Sequence, residues 1–183
     1  MNPLGFQTMA VAGTQPYHEN QIIWGDKEKA EQQFVTDFIV DSLKGQSTEL
    51  NISEPYTMRA GNVVHIKTDI QGQMRSGTGL REMLEILHPT PAVCGFPKEA
   101  ARQFLVQSEG YDREYYCGFL GEFNKDFAKG GNSSDLYVNL RCLQIKESDA
   151  ILYVGGGITK DSDPEREWQE TVNKSLTMKD VLA

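Results

Sequence analysis

No stretch of these 183 residues approaches the ~20 consecutive apolar positions of a membrane-spanning helix. Basic residues are in short supply: 18 Lys and Arg face 26 Asp and Glu, a net charge of −8. That balance argues against nucleic acid or an anionic membrane as the main partner. It leaves an acidic ligand open, because a local site can invert the overall sign. Cysteine is sparse and odd in number. Cys94, Cys117 and Cys142 share no metal-ligand spacing, which suits buried free thiols in a reducing cytoplasm. Met1-Asn-Pro-Leu-Gly-Phe6 has neither the charged nor the apolar region of a signal peptide. No Gly-x-Ser-x-Gly occurs and no cysteine has a histidine close by, so no nucleophilic triad is legible. Internal repeats and low-complexity tracts are missing too.

What remains is a chain of one domain or a little more, with 39% hydrophobic and 24% charged residues, enough for a core. Its most informative segment runs from Tyr153 to Lys174. It reads as a strand, a Gly155-Gly156-Gly157 turn, and a helix that starts after Asp163-Pro164. No Gly-Lys-Ser/Thr follows the glycines, so this is not a Walker phosphate loop. On the helix Glu167, Glu170 and Lys174 share one face, and Trp168, Val172 and Leu176 form a stripe on the other. Such a face suits a carboxylate ligand with a divalent metal. The plainer alternative is a solvated charged face behind a Gly-rich hairpin.

Elsewhere the pattern predicts strands over Phe6–Ala12, Val63–Ile70 and Tyr115–Phe123, and a hairpin of Leu136–Ile145 with Ala150–Val154. Helices are expected over 26–43, 80–87, 97–107 and 164–181, with a polar loop over 124–134. Adjacent strands near the end favour antiparallel pairing, hence an α+β fold. In the first helix Glu31 is expected near the centre of an apolar stripe of Ala30, Phe34, Val35, Phe38 and Ile39, with Glu28 one turn earlier. Paired carboxylates are hard oxygen ligands for Mg²⁺; the alternative is a stripe edge where Glu31 reaches solvent. Arg141 falls inside the strand 136–145, where it meets a ligand carboxylate, makes an internal salt bridge, or lies on an exposed sheet face. His65 lies inside a strand and reads as a satisfied core histidine or a functional one.

These segments, in this order, resemble the chorismate-binding enzymes, a family that includes isochorismate, anthranilate, aminodeoxychorismate and salicylate synthases. The matching stretches are Met9-Ala-Val-Ala-Gly-Thr14, Lys29-Ala-Glu-Gln-Gln-Phe-Val35, Asn62-Val-Val-His-Ile66 and His88-Pro-Thr-Pro-Ala-Val93 with Gly95 and Pro97. Tyr111-Asp-Arg113, Tyr116-Cys-Gly118, Gly121, Leu140-Arg141 and the Tyr153–Lys174 segment complete the set. The His88–Val93 stretch is similar to the isochorismate synthase branch.

The resemblance implies the C-terminal half of the family domain over residues 1–183, mainly antiparallel sheet with flanking helices. It implies Mg²⁺ on Glu31 and Glu170, with Glu28 and Glu167 as further or alternate ligands. Glu31 and Glu170 are expected to approach each other from two helices. Substrate contacts are implied at Gly13, Thr14, Ala92, Tyr116, Arg141, Gly155, Gly157 and Lys174. Of these, Arg141, Lys174 and the Gly155–Gly157 amides are expected to converge, with Tyr116 at their edge. His65 takes the position of the family histidine beside the substrate. Gln32 stands where histidine is common. The implied reaction is conversion of chorismate to isochorismate, in a menaquinone or siderophore pathway, with salicylate or anthranilate formation less favoured. The family's general-base lysine and general-acid glutamate belong to segments before Ala10, and residues 1–9 hold neither residue type. The expectation is therefore an isochorismate synthase-like chain of doubtful activity alone. The alternative is a non-catalytic chorismate-binding half that complements a separately encoded N-terminal half.

Overall fold

The computed structural model describes residues 5–19, 22–124 and 133–182. The chain divides into two compact units, Met1–Lys98 and Glu99–Ala183. The first contains β1 (Gly5–Pro16), α1 (Asp26–Lys44), β2 (Ser47–Ile52), β3 (Tyr56–Ala60), β4 (Val63–Met74) and α2 (Leu80–Leu87). β4 is its centre. It pairs antiparallel with β1 over its whole length, and its other edge takes β2 at one end and β3 at the other. α1 lies on the sheet because Val35, Ile39, Val40 and Leu43 line one side of it, and these join Ala10, Ile70 and Met74 in the core. Each such burial stabilises by about 1.5–3 kcal/mol.

The second unit carries α3 (Lys98–Ser108), whose first residue closes the preceding unit, then β5 (Phe119–Glu122), β6 (Asp135–Val138), β7 (Cys142–Lys146), β8 (Asp149–Tyr153) and α4 (Pro164–Leu182). Its sheets are two antiparallel ribbons, β5 with β6 and β7 with β8. The expected α+β class with antiparallel strands holds, and all four expected helices form. Among the described residues no helix is long and apolar enough to cross a membrane.

Two expected strands are shorter. The one expected over 115–123 starts only at Phe119, because Tyr115–Gly118 forms a turn, closed by Gly118 N–H donating to Tyr115 O at 3.1 Å. The one expected over 136–145 breaks in the middle. Asn139 turns its backbone to the Cys117–Gly118 turn, donating to Gly118 O at 2.8 Å and accepting from Cys117 N–H at 2.9 Å. Arg141 then takes a left-handed φ of 49°, which no continuous strand allows. Arg141 therefore stands at a kink and not inside a strand. Most of the loop expected over 124–134 lies outside the described residues.

Candidate functional site

α4 begins as its sequence requires. Asp163 Oδ1 accepts the Arg166 amide at 2.9 Å, and Pro164 occupies the first turn. The charged face is partly buried. Glu167 is only 7% exposed, whereas Trp168 on the opposite stripe is 64% exposed; the Glu170 side chain is 35% exposed. The Lys174 side chain, 14% exposed, pairs with Glu170 and donates to the Gly155 carbonyl at 3.0 Å. None of Gly155, Gly156 and Gly157 takes a positive φ, so their role is close approach. A Cβ on Gly156 would sit 3.6 Å from Glu170 Oε1, 3.7 Å from Glu167 Oε2 and 3.8 Å from Lys174 Nζ. The glycine turn thus lies directly over the two acids and the lysine.

A Cβ on Gly155 would come 2.6 Å from the Tyr116 hydroxyl. Tyr116 is buried and stacks on Tyr153, with ring centroids 5.5 Å apart and planes at 28°. Burial pushes its phenol well above the usual tyrosine range, so it offers a neutral O–H donor. Burial likewise raises the Cys117 thiol. The Arg113 guanidinium sits 5.7 Å from the centre of the Tyr116 ring and is held charged by hydrogen bonds to Glu109. Arg141 directly precedes the Cys142–Tyr153 strand pair, at the ribbon end from which Gly155 departs. It is half-buried and makes no hydrogen bond or ion pair among the described residues. Tyr116, Gly155, Gly156, Glu167, Glu170 and Lys174 are therefore brought together. Arg141 is near them along the ribbon without touching any of them by hydrogen bond.

In the first unit Gly13 makes a bulge, φ 69°, and the β1 register jumps from Ala12↔Ile66 to Thr14↔His65. The bulge aims Thr14 at His65, with Oγ1 3.0 Å from Nδ1. The Gly13 carbonyl lies 3.2 Å from the same nitrogen. A carbonyl only accepts, so Nδ1 carries a proton. A Cβ on Gly13 would come 3.1 Å from Glu28 Cβ, so the bulge packs on the first turn of α1. Glu31 is not at the centre of the buried stripe. That stripe is Gln32, Val35, Thr36, Ile39, Val40 and Leu43, and Phe34 is exposed. Glu31 lies at its edge, with its side chain 26% exposed and its carboxylate 3.7 Å from Lys27 Nζ. Ala92 is exposed in a turn closed by Val93 and Cys94 amides on the Thr90 carbonyl. Glu28 and Glu31 belong to one unit and Glu167 and Glu170 to the other. Among the described residues no group of three or more His, Cys, Asp and Glu gathers as a metal cluster.

One buried network escaped the reading of the sequence. Gln32 Nε2 donates to Thr36 Oγ1 and to Thr68 Oγ1, each at 2.8 Å, beneath α1. The only signal was Gln32 itself, a polar residue one position from Glu31.

An α+β scaffold that buries charge on its last helix under a glycine turn is the class of protein this geometry defines. The chain belongs to the chorismate binding enzyme family, whose model matches residues 5–183. It is 32% identical over 164 residues to isochorismate synthase EntC of Escherichia coli, a match covering 89% of this chain and 41% of EntC. It is 34% identical over 158 residues to a salicylate biosynthesis isochorismate synthase of Pseudomonas aeruginosa, covering 86% of this chain and 32% of that protein. The solved structure of MenF, the menaquinone-specific isochorismate synthase of Escherichia coli, matches with a TM-score of 0.86 at 29% identity, over 100% of this chain and 43% of MenF. The chain thus spans about two fifths or less of the length of these relatives.

Proposed function

We propose that these 183 residues form the metal- and carboxylate-binding part of an isochorismate synthase, acting on chorismate in the cytoplasm. The observation that carries the reading is the Glu167–Glu170–Lys174 face beneath Gly156, with Glu167 buried while Trp168 and Leu176 on the apolar side of the same helix are exposed. A helix placed only for stability would be turned the other way. The family match and the His88–Val93 stretch direct the reading to isochorismate synthesis.

The donor set fits magnesium. Its groups are carboxylate oxygens, hard ligands of the kind Mg²⁺ takes, and Gly156 leaves open the space beside Glu167 and Glu170 that a side chain would fill. The proposed ligands are Glu170 and Glu31, with Glu167 and Glu28 as further or alternate acids. Bound there, Mg²⁺ would offset the charge of the substrate's ring carboxylate and ease loss of the C4 hydroxyl as water adds at C2.

The protein groups bind and orient. Arg141 has a planar fork matched to a carboxylate and no partner among the described residues. Lys174 and the Gly155 and Gly157 amides supply further donors, and the Tyr116 phenol stays protonated. Gly13, Thr14 and Ala92 are proposed to face the ring, with His65 beside it. Proton transfer, typically worth ~10²–10⁴-fold, is assigned to residues outside these 183. Such residues would come from the part of the family domain that this chain does not cover, for whose docking the exposed apolar side chains of the second unit argue.

Calorimetry with chorismate and Mg²⁺ tests the binding reading, and chromatography for isochorismate tests the catalytic one. Chorismate should bind, and Arg141→Ala should weaken binding by about 1.5–3 kcal/mol. The chain alone should turn chorismate over far below ~1 s⁻¹, a slow ordinary enzyme rate. Turnover at that rate would place the proton-transfer groups within residues 1–183. No binding by the intact chain would overturn the assignment.

A further inference from the structure

We propose that Lys174 is the resident counter-cation of the acid pair on α4, and that a divalent metal must displace it to reach Glu170. This rests on the metal reading above and adds a competition to it. Lys174 Nζ lies 2.5 Å from Glu170 Oε1, in the hydrogen-bonded contact that a metal would otherwise make with that oxygen. The ammonium is not a loose surface charge. Its side chain is 14% exposed, and the Gly155 carbonyl holds it from the other side at 3.0 Å. Glu170 Oε1, Glu167 Oε2 and Lys174 Nζ all lie within 3.8 Å of the point where a Gly156 side chain would begin. One small space therefore holds two acids and one cation, and a metal entering it meets a like charge at short range.

Two consequences follow from charge alone. Without ligand, the lysine offsets one of the two negative charges of Glu167 and Glu170, so the empty site stays folded but binds metal weakly. When a carboxylate ligand enters, Lys174 can transfer its ammonium from Glu170 to that ligand, which vacates the oxygen for the metal. Anion and metal then bind with positive coupling, and by linkage each raises the affinity of the other equally. Lys174 is in this sense a positioning residue for the metal, besides any contact it makes with the ligand.

The test uses Mn²⁺ as the probe, its free signal followed by electron paramagnetic resonance as the intact 183-residue chain is titrated without any organic ligand. Lys174→Met removes the charge and should tighten Mn²⁺ binding at least ~5-fold, the lower end of ordinary coupling between sites. Lys174→Gln, run in parallel should the methionine variant not fold, should do the same. Lys174→Arg keeps the charge and should stay close to the unaltered protein. Glu170→Gln should lose the metal. A lysine of purely structural value would give the opposite sign, since its loss would loosen the acids and weaken Mn²⁺. Unchanged or weaker binding in both neutral variants, with Glu170→Gln still deficient, overturns the competition and leaves the metal reading standing. Absence of Mn²⁺ binding in the unaltered chain and in both neutral variants overturns both.

Discussion

Leu43, in the last turn of α1, is 0% exposed against the sheet of the first unit, while Tyr115 of the second unit is 81% exposed. The contrast extends beyond the pair. The first unit gathers its aliphatic residues into one contiguous cluster over β1 and β4. The second leaves Leu120, Ile145, Ile158 and Trp168 outside, and among the described residues its buried side chains are Tyr116, Glu167 and Ser175. One unit buries mainly hydrocarbon, and the other buries polar side chains, one of them an acid. The first has the makings of a domain stabilised by apolar burial. The second is built of two-stranded ribbons, marginal by themselves, and the polar contacts that order it are the ones assigned to the site. Large exposed apolar surface of this kind marks a place where something docks.

The largest expected difference between the units is in their response to truncation. Leu43→Ala should cost about 2–5 kcal/mol in urea unfolding, the range for emptying a packed aliphatic site. Leu120→Ala, in β5, should stay within about 0.5 kcal/mol, as an exposed substitution does. Equal costs would break the comparison, because they would show that Leu120 is covered in solution.

Gly155 probes the charged unit. Its missing side chain makes room for the buried Tyr116 hydroxyl, 2.6 Å from where a Cβ would stand. Gly155→Ala should destabilise by about 1–3 kcal/mol, the cost of overpacking. Removing the hydroxyl in Gly155→Ala with Tyr116→Phe should recover a good part of it. A double-mutant cycle by thermal unfolding measures that coupling. Simple additivity would mean that the two residues do not meet.

What could be read from the sequence follows the same division. The four helices and β1, β4, β7 and β8 announce themselves by period, cap and turn residues. β2 and β3 do not, because Thr48, Glu49, Asn51 and Thr57 face solvent and leave no alternation of apolar residues to detect. Their position comes from pairing with β4, a long-range fact. Arg141 looks like a strand residue because its neighbours are strand formers, and only the Asn139 contacts with a distant turn break the run. Glu31 is displaced from its expected place by a turn of the stripe, which Gln32 enters through its bonds to Thr36 and Thr68. The faces of α4 were legible, but not which one is buried. Trp168 and Leu176 mimic an ordinary core stripe, and the choice is made by the glycine turn that covers Glu167 and Glu170. The convergence of Tyr116 on Gly155 could be named only through family resemblance, since nothing in the spacing of the two residues implies it.

The helices differ at their beginnings too. α1 has Gly25 at its N-cap and no side-chain cap bond; it is held by its packed face. α4 has Asp163 on the Arg166 amide. Asp163→Ala should therefore cost about 0.5–2 kcal/mol, the usual value of a cap. It should also weaken chorismate binding, because the same first turn carries Glu167. Lost stability with unchanged ligand affinity would separate the cap from the site.

The smallest expected effect returns to the sheet of the first unit. Asp69 accepts a 2.6 Å hydrogen bond from the Tyr56 hydroxyl and pairs with Lys67 at 2.9 Å, which ties β3 to β4 on their exposed side. Those contacts, the Tyr56 bond first, hold its carboxyl below the ordinary aspartate value of 3.8. The folded state therefore releases this proton more readily than the unfolded chain. The stabilisation is fully present above the unfolded value, near ~4, and is lost as pH falls through the lower folded value. The Asp69 side chain is 48% exposed, so solvent screening limits the gain to well under ~1 kcal/mol. Asp69→Asn should remove a correspondingly small part of the loss in urea midpoint between pH 5 and pH 3, values that bracket about one unit either side of that carboxyl. A variant whose acid sensitivity matches the unaltered chain would show that Tyr56 and Lys67 leave Asp69 as it is in the unfolded state. In that case the β3–β4 edge is held by backbone pairing alone.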